Sequence, residues 1–207
     1  MSIPPTLGLI LAGGLARRIG GGDKLRIRIG GTTILDRVIS RLDRQCDQLI
    51  LNANGDPARF ADTKLTVVAD SIPDYPGPLA GILAGLDWAA ANAPKLEWMM
   101  SAPSDCPFLP TDLVARLHAA RVDADAMIAC ASSDGKRHPV IALWSVRLRK
   151  ELRHALVRND TRKVETWAAQ YGFATAAWPC APIDPFFNVN TPEGVAEANR
   201  IAERFQL

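Results

Sequence analysis

The sequence predicts an α/β fold, a three-layer sandwich in which a mostly parallel, Rossmann-like sheet carries helices on both faces. Short apolar runs alternate with longer amphipathic segments along the 207 residues. That alternation is typical of parallel strands joined by helical crossovers. Glycines, amides and carboxylates follow the predicted strands, and ligands bind beyond the carboxyl ends of the strands in such sheets.

The length and composition fit one domain over residues 1–207. The chain is 48% hydrophobic and 22% charged, values that permit a sizeable core. Its 24 basic and 22 acidic residues leave a net charge of +2, which gives no broad attraction to nucleic acid or to an anionic membrane. No stretch approaches the roughly 20 apolar residues of a membrane span. We therefore expect a cytoplasmic protein that binds neither nucleic acid nor membrane.

The four cysteines predict free thiols rather than a metal site or a redox motif. Cys46, Cys106, Cys130 and Cys180 are far apart and form no C-x-x-C pair. A chain of this size needs no disulfides, and free thiols are the rule in a reducing cytoplasm.

The first quarter of the chain alternates strands with one capped helix. The apolar run 7–11 indicates a buried strand, which a pair of glycines ends. Residues 25–29 alternate apolar and basic side chains, the pattern of a half-exposed strand. Thr33 is the predicted N-cap of a helix over 33–43, whose apolar residues share one face. The next strand is predicted over 48–52.

A rigid turn divides the second quarter. Residues 65–68 resemble a strand that ends at Asp70. The segment 74–78 contains two prolines flanking a glycine and excludes regular structure. A helix is predicted over 81–91, and a buried strand over 96–101 stops at a proline.

The second half continues the alternation. Strands are predicted at 126–131 and 140–144, and helices at 111–120, 145–157 and 163–171. Thr111 and Ser145 are the predicted N-caps of two of these helices. Thr191, Pro192 and Glu193 open the last helix with a cap, a proline in the first turn and an acid near the positive end.

The glycine-rich loop after the first strand has the composition of a triphosphate cradle. Residues 11–24 hold five glycines, which let N–H groups approach a ligand, and Arg17, Arg18 and Lys24 supply positive charge. The loop lacks both the Walker spacing and the G-x-G-x-x-G fingerprint. The alternative is a solvated basic loop. Its place directly after a buried strand favours the phosphate-binding interpretation.

Two acidic positions have a ligand-binding and an ordinary interpretation each. Asp105 is either a Mg²⁺ ligand at a strand end or a turn residue, and its spacing leaves both open. Asp70, with the turn that leads into the helix at Gly81, could bind an anion or a base edge at a helix N-terminus. An ordinary loop is the alternative for the second position.

Further polar residues are candidates for the acceptor side. Asn188 and Asn190 flank a valine and therefore share one face of an extended segment, where they contact a ligand or satisfy the backbone before the last helix. Basic candidates for an acceptor phosphate, each of which could equally be a solvated surface residue, are Arg137, His138, Arg162 and Lys163.

The sequence contains no motif typical of a covalent nucleophile or of a metal site built from histidines. Its three histidines show no metal-ligand spacing, and no G-x-S-x-G nucleophile motif is present. Cys106 has no evident base partner in the sequence. The chemistry that fits is positioning and electrostatic stabilisation, as in metal-assisted phosphoryl transfer.

Together these motifs resemble the signature of the molybdenum cofactor guanylyltransferases, a family of the nucleotidyltransferase superfamily. The resemblance runs over nearly the whole chain and in the family's order. The motifs are Leu11-Ala12-Gly13-Gly14, Arg17-Arg18, Gly21-Gly22-Asp23-Lys24, Asp70 with Asp74-Tyr75-Pro76-Gly77-Pro78-Leu79-Ala80-Gly81, Asp105-Cys106-Pro107, Arg137-His138-Pro139 and Asn188-Val189-Asn190-Thr191-Pro192-Glu193.

The resemblance implies transfer of GMP from GTP to molybdopterin, with release of pyrophosphate. It implies that Lys24 and Asp105 are catalytic and that Asp105 binds Mg²⁺. The implied nucleotide-binding residues are Leu11, Ala12, Gly13, Gly14, Arg18, Lys24, Asn52, Asp70, Gly77, Gly81 and Asp105. The implied acceptor-binding residues are Arg162, Lys163, Asn188 and Asn190. The N-terminal part would bind GTP and the C-terminal part molybdopterin, with transient contacts to cofactor-delivery proteins.

Three alternatives stay open at this stage. A molybdopterin cytidylyltransferase and a sugar-phosphate nucleotidyltransferase would share almost the same reactive centre. A GTP-binding carrier of the cofactor without catalytic activity is the alternative of another class.

Overall fold

A seven-stranded sheet forms the centre of the structure, a computed structural model that describes residues 3–12, 24–72, 77–159, 161 and 163–207. The strands are β1 (Thr6–Leu11), β2 (Arg28–Ile29), β3 (Thr32–Thr33), β4 (Gln48–Asn52), β5 (Thr66–Val68), β6 (Trp98–Pro103), β7 (Ile128–Ser133), β8 (Lys136–Ser145) and β9 (Phe173–Trp178). The α-helices are α1 (Ile34–Asp43), α2 (Pro78–Asn92), α3 (Leu113–Asp123), α4 (Arg149–Asn159), α5 (Val164–Ala168) and α6 (Pro192–Phe205). Short 3-10 helices cover Lys24–Arg26, Pro57–Thr63, Val146–Leu148 and Ala169–Tyr171.

The strand order confirms the predicted, mostly parallel sheet. It is β5-β4-β1-β6-β8-β7-β9, and β8 alone in this sheet runs antiparallel to its neighbours. β2 and β3 form a separate antiparallel pair. The carboxyl ends of β5, β4, β1 and β6 therefore meet at one edge of the sheet.

The two faces of the sheet are covered by different helices. Every residue of β1 is buried; Leu7, Leu9 and Leu11 pack with α2, α4 and α5, whereas Ile10 packs with α1 and α3. This alternation follows from the two-residue period of a strand, which sends neighbouring side chains to opposite faces. The three-layer sandwich predicted from the sequence is confirmed. A third hydrophobic cluster packs Ala198 and Ala202 of α6 against four other buried residues: Ile29, Ile34, Phe108 and Val189.

Two of the predicted helix caps are present. The Thr33 hydroxyl accepts a hydrogen bond from the N–H of Asp36 at 3.1 Å and begins α1. The Thr191 hydroxyl accepts one from the N–H of Gly194 at 3.1 Å and begins α6. Each hydroxyl satisfies a backbone donor that the first helical turn leaves without a partner.

Two other cap predictions were wrong. α3 begins after Asp112 rather than Thr111, and no side chain caps it. Ser145 precedes a 3-10 turn instead of α4 and makes no cap hydrogen bond. α4 follows directly after that turn.

The strand predictions were wrong in three places. Residues 25–29 are not one strand, because a 3-10 turn over Lys24–Arg26 takes the first two of them. β8 is longer than expected because Asp134 and Gly135, with φ of 48° and 70°, make a tight hairpin turn between β7 and β8. The alanine-rich β9 was not predicted.

Two sequence-based expectations concern the whole chain. The four cysteines are free thiols, as predicted. In the part of the chain that the structure describes, no helix is long and apolar enough to cross a membrane.

Candidate active site

Residues from the ends of four parallel strands, three of them polar, converge at the carboxyl edge of the sheet. Asp70 follows β5, Asn52 ends β4, Leu11 ends β1 and Asp105 follows β6. Backbone hydrogen bonds lock this edge: the N–H of Ala12 donates to the Asn52 carbonyl at 2.9 Å. Because that N–H is used within the sheet, contact between Ala12 and a nucleotide would use its carbonyl oxygen.

Lys24 contacts two residues of the site that lie far from it in the sequence. Its ammonium donates to the carboxylate of Asp105 at 2.7 Å and also to the side-chain oxygen of Asn190. The side chains of Lys24 and Asp105 are only 10% and 18% exposed. The N–H of Val189 donates to the Asp105 carbonyl at 3.0 Å, and the buried Val189 side chain anchors this segment. Three segments distant in sequence thus build one charged cluster.

Lys24 and Asp105 compensate each other's charge in a site that is largely removed from water. A charge removed from water needs an opposite charge and hydrogen bonds, and this ammonium has both. Lys24 is the first residue of the 3-10 turn Lys24–Arg26 and is buried there. A ligand with phosphate groups would offer the ammonium a second set of anionic partners at the same place.

The neighbouring thiol is not set up as a nucleophile. Burial, together with the negative charge of Asp105, holds the pKa of Cys106 well above its usual range. The thiol points to the carbonyl of Phe186 at 3.7 Å. A protonated, buried thiol is inert, in accord with chemistry that needs no covalent enzyme intermediate.

The donor set fits a cation that substrate phosphates help to bind. Among the described residues, no three His, Cys, Asp or Glu side chains cluster as a protein-only metal cage. Asp105 supplies one carboxylate at the ligand edge. Mg²⁺ prefers oxygen ligands and commonly takes one or two carboxylates beside the phosphates of its nucleotide. The site therefore fits a divalent cation that phosphate oxygens help to coordinate.

A second polar group lies at the other end of the edge. The side-chain amide of Asn52 donates to the Asp70 carboxylate at 2.8 Å and to the Val68 carbonyl at 3.1 Å. Asn54 donates to the other oxygen of Asp70 at 2.7 Å. Because both partners of the Asn52 nitrogen are acceptors, the orientation of that amide is unambiguous.

Two glycines lie at the start of α2, and one of them packs against Asn52. Gly77, at φ 125°, precedes the helix in a conformation that side chains disfavour. A β-carbon on Gly81 would lie 2.3 Å from the side-chain oxygen of Asn52 and 2.7 Å from Leu11. The close approach of α2 to the sheet edge therefore requires glycine at position 81.

The predicted acceptor residues occupy different places. Asn190 contacts Lys24, and the exposed Asn188 lies two residues before it. Lys163 is exposed at the start of α5.

Of the other basic candidates, Arg137 forms an ion pair with Glu165 at 3.9 Å. His138 shares a 2.7 Å hydrogen bond with Ser133 and packs 4.8 Å from the ring of Phe186. Burial lowers the pKa of His138, so its neutral form is favoured.

Several predicted site residues lie outside the described residues: Gly13, Gly14, Arg18 and Arg162. One contact residue was not among the predicted site residues. Asn54 follows Asn52 at the two-residue spacing that places both amides on one side of an extended segment. That spacing after a predicted strand was the available signal.

Comparison with known proteins gives a consistent assignment. The model of the MobA-like NTP transferase domain matches residues 8–172. A molybdenum cofactor guanylyltransferase from Nitrobacter hamburgensis is 62% identical over 202 residues, 98% of this chain and 97% of the relative. One from Rhodopseudomonas palustris is 61% identical over 201 residues, 97% and 96% of the two chains.

A solved structure supports the fold. The molybdopterin-guanine dinucleotide biosynthesis protein A from Archaeoglobus fulgidus has a TM-score of 0.73, with 96% of this chain and 99% of that one covered. Its 19% identity limits the likeness to the fold. The family match and the two near-full-length relatives show that this chain belongs to the molybdenum cofactor guanylyltransferase family of MobA-like NTP transferases.

Proposed function

We propose that this enzyme transfers GMP from GTP to molybdopterin, forming the guanine dinucleotide and releasing pyrophosphate. The observation that carries the proposal is the meeting of Lys24, Asp105 and Asn190 at the ligand edge of the sheet. A buried ammonium beside a carboxylate is what a transferring phosphoryl group and its divalent cation require. The names of the relatives, guanylyltransferases that act on the molybdenum cofactor, favour this substrate pair.

In this proposal the N-terminal part of the chain binds GTP along the carboxyl ends of the strands. Its nucleotide-binding residues are Leu11, Ala12, Gly13, Gly14, Arg18, Lys24, Asn52, Asp70, Gly77, Gly81 and Asp105. The negative charge of Asp70 repels phosphates, so the nucleoside lies at that end and the triphosphate near Lys24. The C-terminal part binds molybdopterin through Asn188, Asn190, Arg162 and Lys163.

The reaction forms a bond between an oxygen of the acceptor phosphate and the α-phosphorus of GTP. It breaks the bond from that phosphorus to the leaving pyrophosphate. Lys24 donates to the phosphate oxygens and neutralises charge that accumulates during the transfer. Asp105 and the nucleotide would together hold Mg²⁺, which supplies further charge neutralisation when bound. Asn190 keeps the ammonium of Lys24 directed toward the acceptor side.

We further propose that the enzyme works in the cytoplasm and hands its product to partner proteins. Four free thiols are compatible with a reducing compartment. A dinucleotide cofactor must reach the enzymes that use it, so transient contacts with cofactor-delivery proteins are expected. The balanced net charge of +2 supports no nucleic acid or anionic membrane as a partner.

The test is pyrophosphate release from purified protein with molybdopterin and Mg²⁺, comparing GTP, CTP and ATP. Release with GTP alone is the expected result. Release with CTP instead would mean that the enzyme is a molybdopterin cytidylyltransferase. Tight GTP binding without release, in the presence of acceptor, would favour the non-catalytic carrier. A parallel assay with sugar phosphates as acceptors tests the sugar-phosphate alternative.

A further inference from the structure

Asn54 and Asp70 hold each other by two reciprocal hydrogen bonds. The Asn54 amide nitrogen donates to one carboxylate oxygen of Asp70 at 2.7 Å, and the Asp70 N–H donates to the Asn54 side-chain oxygen at 2.9 Å. The second carboxylate oxygen accepts from Asn52 at 2.8 Å. Each oxygen of Asp70 therefore has one amide donor, which fixes the plane of the carboxylate.

This arrangement leaves Asp70 with unused capacity to accept hydrogen bonds. Its two carboxylate oxygens offer about four acceptor sites, and the two amides use only one on each oxygen. Both of its side-chain donors are neutral, and among the described residues no cation forms an ion pair with it. Asp70 is half-buried at the ligand edge. It thus presents two fixed anionic acceptors to whatever lies there.

Charge and distance indicate which part of a nucleotide lies at Asp70. A carboxylate repels phosphates, whereas the buried ammonium of Lys24 attracts them. Asp70 follows β5 and Asp105 follows β6, three strand spacings away, roughly 14 Å. The nucleoside is therefore the part of the nucleotide that meets Asp70. Guanine alone among the common bases presents two adjacent N–H donors, at N1 and at the 2-amino group, which match two fixed acceptors.

We propose that Asn54 is a positioning residue for guanine recognition: it holds the Asp70 carboxylate in the plane that accepts from N1 and the 2-amino group. This inference rests on the proposed function, because it concerns the base of GTP. Asn54 itself is exposed, and its side chain exchanges hydrogen bonds with Asp70. Its loss affects nucleotide affinity and base preference, while the transfer at Lys24 and Asp105 keeps its rate.

The experiment compares the wild type with Asn54→Ala and Asn54→Asp. The alanine variant removes both contacts. The aspartate variant keeps the size and the acceptor for the Asp70 N–H, but replaces the amide donor by a charge that repels Asp70. Asn92→Ala is the matched control, since that exposed amide donates to the Trp88 carbonyl at the far end of α2. Thermal unfolding of each variant verifies its fold.

Two measurements are made on each protein: equilibrium affinity for GTP and for inosine triphosphate, which lacks the 2-amino group, and kcat and KM for pyrophosphate release. We expect Asn54→Ala to weaken GTP binding about tenfold and inosine triphosphate binding less. We expect kcat to stay within about threefold and Asn54→Asp to lose the most affinity. The control should match the wild type.

Two results would overturn the inference. One is that both Asn54 variants fold and keep the same ratio of GTP affinity to inosine triphosphate affinity as the wild type. The other is a loss confined to kcat. The failure of the proposed function would look different: wild-type protein that binds GTP would release no pyrophosphate, and the affinity ratios would still decide the role of Asn54.

Discussion

At the scale of single residues, the Asp105 carboxylate has two proposed roles, one toward Lys24 and one toward a divalent cation. It neutralises Lys24 at 2.7 Å. In the proposed mechanism it is also the oxygen ligand of the divalent cation. Asp105→Asn retains the shape but removes the charge. We expect pyrophosphate release to fall about 100-fold or more, and the Mg²⁺ concentration for half-maximal rate to rise. A Mg²⁺ titration of the initial rate measures both effects.

The control for this change is Asp123→Asn, which removes an exposed carboxylate at the end of α3. Its rate and Mg²⁺ dependence should equal those of the wild type. An Asp105→Asn variant with wild-type Mg²⁺ dependence would remove Asp105 from the metal site.

Gly81 offers a second test at this scale. A methyl group there would press on the side-chain oxygen of Asn52, because an ideal β-carbon lies 2.3 Å from it. Gly81→Ala should displace the Asn52 amide and raise KM for GTP about tenfold. Gly85→Ala is the matched control one turn later, where the new carbon meets the flexible side chains of Leu9 and Met99 at 2.7 Å. That variant should lose stability and keep KM. Equal KM values for the two variants would contradict the argument.

At the scale of elements, two helices begin with the same threonine cap and serve different purposes. Thr33 caps α1, whereas Thr191 caps α6 and directly follows Asn190, the partner of Lys24. Each Thr→Ala change should cost about 1 kcal/mol of unfolding free energy. Only Thr191→Ala should also lower turnover, since it loosens the segment that holds Asn190. Denaturant unfolding and steady-state rates of the two variants make the comparison. A larger turnover loss in Thr33→Ala would refute it.

The elements also show what sequence patterns can predict. β1 and α1 were predicted correctly, because a continuous apolar run and a capped amphipathic face depend on local residues alone. β9 was missed since its inward-facing side chains are mostly alanines, which give little hydrophobic contrast. The alternation over 25–29 favoured a strand, but the first residues turn so that Lys24 can reach Asp105. A contact over 81 residues leaves no local pattern.

At the scale of the whole molecule, the order of the strands decides which residues meet. Sequence reasoning placed polar residues at strand ends, and a parallel sheet then brings Asn52, Asp70 and Asp105 to one edge. It did not anticipate the contact of Asn190 with Lys24, which depends on how the chain returns after β9. The general location of the site was therefore predictable, whereas its side-chain partners required the tertiary structure.

The opposite edge of the sheet contains a buried histidine that links β1 to α3. His118 is 4% exposed, and its Nε2 lies 2.8 Å from the hydroxyl of Thr6. That hydroxyl donates to the Pro4 carbonyl, and Arg121 donates to Nδ1 of the ring at 3.4 Å. Nε2 therefore carries the proton of a neutral ring. Burial, together with the charge of Arg121, lowers the pKa of His118 to about 4.

This histidine makes stability depend on pH. The unfolded chain binds a proton near the ordinary pKa of 6.5, whereas the folded protein resists it down to about 4. The contribution of His118 is thus complete above pH 6.5 and is lost as the pH falls toward 4. Between pH 8 and pH 5 we expect it to remove about 2 kcal/mol of unfolding free energy.

Denaturant unfolding of the wild type and His118→Gln across this pH range tests the prediction. The variant lacks the titrating ring, so its unfolding free energy should fall less steeply with decreasing pH, whatever its stability at pH 8. His154→Gln removes an exposed histidine on α4 and should follow the wild-type curve. Parallel curves for the wild type and His118→Gln would mean that the ring accepts a proton equally well in both states. The hydrogen-bond chain from Arg121 through His118 to Thr6 would then not exclude the charged form.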